Sequence, residues 1–302
     1  MRLSVSPHIH SGRTTSIIMR DVLIALLPAT VAGTVIFGLR SLLVVALCVG
    51  ASVGFEALFN LICKREQTVD DLSAAVTGLL LALNLPANIP LWQCVIGSLF
   101  AIIVVKCLFG GIGCNLVNPA ITARVFMLVA FGSMTKAAFP VDSVSSATPL
   151  ASTETLGLLD AFLGNYGGAI GETCSLALLA GFVYLLVRRV ISWHLPVAFM
   201  GSVFLLSFFM EGFDAIRALT LVLSGGLLIG AIFMATDYVT SPNTPAGKII
   251  FGIGAGLITF LIRYFGVYPE GVSFAILLMN ILTPYIDAWT RRKVFGTGGM
   301  IA

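Results

Sequence analysis

Charge is scarce in this chain. Of 302 residues only 10% are Asp, Glu, Lys or Arg, where a soluble domain carries about 25%. That scarcity excludes an ordinary soluble globular protein. Alternation is scarce too. The apolar runs are continuous, which excludes a membrane β-barrel and favours helices, the other structure that satisfies its backbone in lipid. No cluster of basic residues suggests nucleic acid. No CxxC occurs, and Cys48, Cys63, Cys94, Cys107 and Cys174 fall in or at the ends of apolar segments, with Cys114 in a glycine-rich turn. They read as small buried hydrophobes rather than metal ligands or disulfide partners. His8, His10 and His194 have no ligand spacing. Met1 to Arg20 is polar, with no apolar segment ahead of Asp21, so no cleavable signal peptide is expected.

What remains is hydrophobic: 58% of the residues, with a mean hydropathy of +1.03. A spanning helix needs roughly 20 apolar residues. Segments of that kind fall near 21–38, 41–63, 72–86, 90–109, 119–134, 172–191, 194–210, 217–235, 247–265 and 271–288. The third ends at Leu85-Pro86 and reads as short or broken. The expected fold is an all-α polytopic membrane protein of about ten transmembrane helices.

Basic residues sort by side. Arg2, Arg13, Arg20, Lys64, Arg65, Arg188, Arg189, Arg291, Arg292 and Lys293 share one side of a ten-helix arrangement. Only Arg40, Lys136, Arg217 and Arg263 fall on the other. Both termini are therefore expected in the cytoplasm. The segment from Gly132 to about Gly171, with Lys136 beside Asp142, Glu154 and Asp160, faces outward.

A weak internal repeat runs through the apolar sequence. Leu85-Pro86 to Pro90 opens a helix reaching Lys106, followed by Phe109-Gly110-Gly111 and Asn118-Pro119. Pro242 to Pro245 opens a helix reaching Arg263, followed by Phe265-Gly266 and the stretch Asn280 to Pro284. With five spans in each half the copies would be inverted, and inverted repeats with interrupted helices place sites at their interface. The expected organisation is a first repeat over 1–134, an extracytoplasmic loop over 135–171 and a second repeat over 172–302.

Three polar constellations interrupt the apolar runs. The first is Asp142-Ser143-Val144-Ser145-Ser146-Ala147-Thr148. Its Asp-x-x-Ser-x-Ala-Thr pattern resembles the recognition signal of flavin transferases, which join FMN through its phosphate to the final threonine hydroxyl. Thr148 ahead of Pro149 also reads as an ordinary helix N-cap. The second is Phe109 to Ala120, where Gly110, Gly111 and Gly113 allow tight turns and Asn115 and Asn118 can satisfy backbone at a helix break. It reads either as a half-helix lining a cofactor or ion site or as a plain interhelical turn. The third is Ala235 to Pro245, a capped loop or a polar pocket in which Asp237, beside Thr236, is the charged member. Inside the spans, Glu56 is the candidate for ion or proton passage, or for pairing with a basic residue in the bundle. Lys106, Arg124 and Arg263 lie near span ends, where they could snorkel to the interface.

The blocks in order resemble one family. They are Ser6 to Thr15, Arg20 to Ala29, Val76 to Pro86, the Phe-Gly-Gly to Asn-Pro-Ala turn, the flavin signal, Ala235 to Pro242, and Asn280 to Asp287 with the basic tail. The chain resembles the D-type subunits of Rnf complexes, the ion-translocating ferredoxin:NAD oxidoreductases. It is also similar to the B-type subunits of sodium-pumping NADH:quinone reductases, whose N-terminus is longer. The resemblance implies two inverted five-helix repeats with covalent FMN on Thr148, installed by an exported flavin transferase that reads Asp142, Ser145 and Ala147. It implies partners among the other membrane and peripheral subunits, electron transfer between ferredoxin and NAD coupled to sodium or proton export, and a bacterial inner-membrane location. A second, non-covalent flavin such as riboflavin is associated with the family, and Asn115, Asn118, Thr236 and Asp237 form a candidate flavin or ion pocket. One departure stands at Ser146, where the family usually has Gly. Outside the resemblance, a passive channel or secondary transporter on the same inverted repeat remains open.

Overall fold

The computed structural model describes residues 14–135, 157–164, 166–266 and 271–291. Among these the regular structure is helical, with no strand. In chain order the helices are α1 (Thr15–Phe37), α2 (Leu39–Ile62), α3 (Ser73–Leu83), α4 (Leu91–Cys107), α5 (Pro119–Ala130), α6 (Leu158–Leu163), α7 (Ser175–Val187), α8 (His194–Met210), α9 (Ala215–Leu223), α10 (Leu227–Met234), α11 (Pro245–Phe265) and α12 (Val272–Thr290).

Four of them, α1, α2, α11 and α12, are long and apolar enough to cross a bilayer, and the bent pair α9–α10 passes as a fifth. α3, α4, α5, α7 and α8 are shorter apolar helices lying within the other expected segments. Helix starts follow their caps. Thr14 accepts from Ile17 N, Asn118 from Ala120 N and Ile121 N, Asp214 from Ile216 N and Arg217 N, and Thr244 from Gly247 N. Pro119 and Pro245 then occupy first-turn positions, where a missing N–H costs nothing.

Two departures from straight spans matter. The expected span 217–235 is broken into α9 and α10, which meet at 67°. Gly225 turns the chain there with φ 70°, a left-handed conformation that a side chain would strain. The last part of α4, Phe100–Cys107, and the last part of α10, Gly230–Met234, are wound as π-helix, a rare winding concentrated at functional sites.

Packing follows a paired scheme. α2 lies against α3 and α4, and α8 against α9 and α11, while α1 meets α7 and α5 meets α12. The α8–α11 contact is close because Gly252 and Gly256 present bare backbone to it. A Cβ on either would sit 2.8 Å from Leu195 O or 3.1 Å from Phe199 O. Small residues at i and i+4 are how membrane helices approach in lipid.

The end of the long 135–171 segment re-enters the bundle. Tyr166, Ile170, Glu172 and Thr173 are buried. Gly171 N donates to Leu83 O at 2.7 Å and Ile170 N to Leu85 O at 3.1 Å. Carbonyls left open where α3 stops are thereby satisfied, as an apolar interior requires.

Candidate functional site

The polar blocks that the sequence scatters meet in one place. A cavity of about 90 Å³ is lined by Ser73 and Thr77 of α3, Lys106 of α4, Asn115 and Asn118 before α5, and Thr236 and Asp237 after α10. Met19 of α1, Leu80, Leu185 of α7 and Phe233 supply apolar wall. The start of α3 and of α5 and the ends of α4, α7 and α10 therefore share one end of the bundle. All four expected pocket residues, Asn115, Asn118, Thr236 and Asp237, line this cavity.

Each is placed by local chemistry. Asn118 Oδ1 caps α5, and its Nδ2 donates to Met234 O at 3.1 Å, tying α5 to the π-wound end of α10. With its amide turned to donate to Thr240 O at 3.2 Å, Asn280 accepts the Asn118 N–H at 3.1 Å. Asn115 Oδ1 is buried and has no hydrogen-bond partner among the described residues. Thr236 Oγ1 donates back to Ile232 O. Asp237 accepts from Thr240 Oγ1 at 3.1 Å. Burial pushes its carboxyl above the usual carboxylate range, although the Thr240 hydroxyl and the Val239 and Tyr238 amides pull it back.

Lys106 connects the cavity to a second group. Its Nζ lies 2.7 Å from Glu56 Oε1 and also donates to Ser73 Oγ. Thr68 Oγ1 donates to the same Glu56 oxygen at 3.0 Å, and Glu56 Oε2 is buried without a partner among the described residues. Glu56 thus pairs inside the bundle. The snorkelling expected of Lys106 does not occur, because its ammonium finds a carboxylate within the protein at 2% exposure.

A second buried ion pair lies where the helices break. Arg124 Nη2 donates to Glu172 Oε1 at 2.7 Å, and Nη1 to Asn84 Oδ1 at 2.6 Å. Arg124 also turns inward, its guanidinium joining the end of α3, the middle of α5 and the re-entrant segment. Gly226 leaves room for this group, since a Cβ there would lie 2.6 Å from Glu172 Oε1. Arg263 likewise faces the protein, donating to Leu221 O at 2.8 Å and Ser224 O at 3.4 Å beside the α9–α10 break. Asn84 and Glu172 were missed by sequence reasoning. The only signal for Glu172 is an acid at the very edge of an apolar run. Asp142, Ser145, Ser146, Ala147 and Thr148 lie outside the described residues, as do His8 and His10.

The family description NQR2, RnfD, RnfE matches residues 2–296. The chain belongs to this family. Among its relatives, the D-type subunit of the Na(+)-translocating ferredoxin:NAD(+) oxidoreductase complex of Acetobacterium woodii is 47% identical, covering 98% of this chain and 95% of that protein. The D-type subunit of the proton-translocating ferredoxin:NAD(+) oxidoreductase complex of Clostridium ljungdahlii is 40% identical over 98% of this chain and 96% of its own length. The D-type subunit of the ion-translocating oxidoreductase complex of Escherichia fergusonii is 35% identical over 98% of each chain. Family membership thus extends across the cavity, both buried ion pairs and the α9–α10 break, all of which fall between residues 2 and 296.

Proposed function

We propose that this chain is the D-type membrane subunit of an ion-translocating ferredoxin:NAD oxidoreductase complex. In this reading it carries FMN esterified to Thr148 and relays electrons between ferredoxin and NAD while the complex exports sodium ions or protons. The observation that carries the reading is the 47% identity over 98% of the chain to the D-type subunit of such a complex, with matching coverage of that protein. FMN supplies the one- and two-electron chemistry that side chains lack. In the chain itself, the Thr148 hydroxyl accepts the phosphoryl group, and Asp142, Ser145 and Ala147 are what an exported flavin transferase recognises. The other membrane and peripheral subunits are the electron partners.

The topology in this reading is two inverted five-helix repeats, 1–134 and 172–302, flanking the 135–171 loop. The pairing of α2 with α3 and α4, against α8 with α9 and α11, supports it. So do two acids after comparable lengths of helix. Glu56 on α2 meets Lys106 at the end of α4, and Glu211 after α8 accepts from Tyr264 at the end of α11 at 2.9 Å. Basic residues near the ends of α2 and α7 favour a cytoplasmic position for the cavity end. The Thr148 loop then lies on the outer face of a bacterial inner membrane.

The cavity is the place for a second, non-covalent flavin such as riboflavin. Its lining offers polar groups at Asn115, Asn118, Thr236, Asp237, Ser73, Thr77 and Lys106 beside apolar wall, as recognition of a ring edge requires. The unpartnered Asn115 Oδ1 fits a ligand N–H.

The test is co-production of the full chain with a flavin transferase, followed by in-gel flavin fluorescence and intact mass. A covalent FMN adduct that disappears in Thr148→Ala is the expected result. Absence of the adduct in fully expressed wild type, together with solute flux by the purified chain in liposomes, would replace this reading with a passive channel or transporter.

A further inference from the structure

Beside the cavity lies a smaller cleft of about 30 Å³ that shares Thr236 and Tyr238 with it and is closed by Ser192, Ser241 and Lys248. Among the described residues no carboxylate lines this cleft, and Lys248 forms no ion pair. The Lys248 ammonium makes one side-chain hydrogen bond, donating to Ser192 Oγ at 3.1 Å. Two of its three donors remain for something else. Because Ser192 Oγ accepts from Lys248, its own hydroxyl proton is free to donate. Ser241 is 7% exposed, yet its hydroxyl has no hydrogen-bond partner among the described residues. Lys248 also stands in the first turn of the 21-residue helix α11, where the backbone dipole is positive.

Among the described residues, a cation without an anion, the unbonded hydroxyl of the buried Ser241 and the Ser192 hydroxyl with a free proton converge on one small cleft, Lys248 and Ser192 being half-buried. A tetrahedral oxyanion satisfies all three donors together. We propose that this cleft binds a phosphate group, held by the Lys248 ammonium and the Ser192 and Ser241 hydroxyls.

Two sources present that chemistry. One is the phosphate of a ligand whose body occupies the adjoining cavity, a source that rests on the flavin reading of that cavity. The other is the headgroup of an anionic phospholipid reaching in past the exposed rings of Trp193 and Tyr238, which are 55% and 52% exposed. Interfacial aromatics of this kind mark headgroup depth.

The experiment has two arms, both on the full chain produced without a flavin transferase. In the first, FMN and riboflavin are titrated by flavin fluorescence quenching. In the second, the chain is released from phosphatidylglycerol or phosphatidylcholine nanodiscs into a native mass spectrometer. The expected result is FMN binding about tenfold tighter than riboflavin, or selective retention of phosphatidylglycerol, either preference falling to parity in Lys248→Gln and in Ser241→Ala. Lys248→Arg should retain the preference, which separates lost charge from misfolding. Phosphatidylglycerol retention with neither flavin bound would support the lipid source and remove the flavin reading of the cavity. Equal binding of both flavins with no lipid preference would overturn the phosphate site and leave that flavin reading intact. A preference unchanged in Lys248→Gln would also overturn it.

Discussion

Lys106 Nζ sits 2.7 Å from Glu56 Oε1 with both side chains at 3% exposure or less, so one buried ion pair joins α4 to α2 at the wall of the cavity. A pair this enclosed tolerates joint removal far better than the loss of one member. Glu56→Gln or Lys106→Met alone is expected to cost about 3–5 kcal/mol and lower the detergent melting temperature sharply. The double variant should recover most of that loss. Equal melting temperatures for the singles and the double would contradict the pairing.

The α9–α10 break is sterically specified. Gly225→Ala places a side chain at φ 70° and is expected to cost about 1–2 kcal/mol. Gly226→Ala acts differently, because its Cβ would lie 2.6 Å from Glu172 Oε1 and 3.2 Å from Arg124 Nη1. Its penalty should shrink when Glu172 and Arg124 are already replaced by Ala and Met. Thermal unfolding of the four combinations measures that coupling.

Asp237 makes stability depend on pH in a stated direction. Its carboxyl is raised in the folded chain by burial, so the folded state holds a proton that the unfolded state gives up near pH 4. Wild-type stability therefore falls as pH rises from that value through the folded-state value, then levels. Asp237→Asn removes the titration. Its melting temperature should gain on wild type across that window and hold a constant gap above it.

In the proposed reading, Ser146 stands beside Ala147 and Thr148, the residues that the transferase must admit. Ser146→Gly is expected to raise the rate of FMN attachment, while Thr148→Ala abolishes it. A time course of in-gel fluorescence with limiting transferase reads both. An unchanged rate in Ser146→Gly would show that position 146 does not limit transferase access.

The helices were legible because lipid imposes long apolar runs, and Leu85-Pro86 rightly marked an early stop for α3. The break at Ser224–Gly226 was not, since small residues inside an apolar run leave hydropathy unchanged. The π winding of Phe100–Cys107 has no composition of its own to mark it in an apolar run. Asn115, Asn118, Thr236 and Asp237 were each visible as polar interruptions. That Lys106 and Ser73 join them is a tertiary fact, set by how α3 and α4 cross. Glu172 stood at the first residue of an expected span, where nothing in sequence distinguishes an acid that opens a helix from one that enters the core.

The return of residues 170–171 to Leu83 and Leu85 has a consequence for biogenesis. Those two carbonyls belong to the first half of the chain, and the strap that covers them is synthesised only after α5. Insertion of the early helices therefore leaves an unfinished interior, completed when residues 170–171 dock. In the reading proposed above, a transferase acting on Thr148 meets a chain with two chronologies, before docking of residues 170–171 and after.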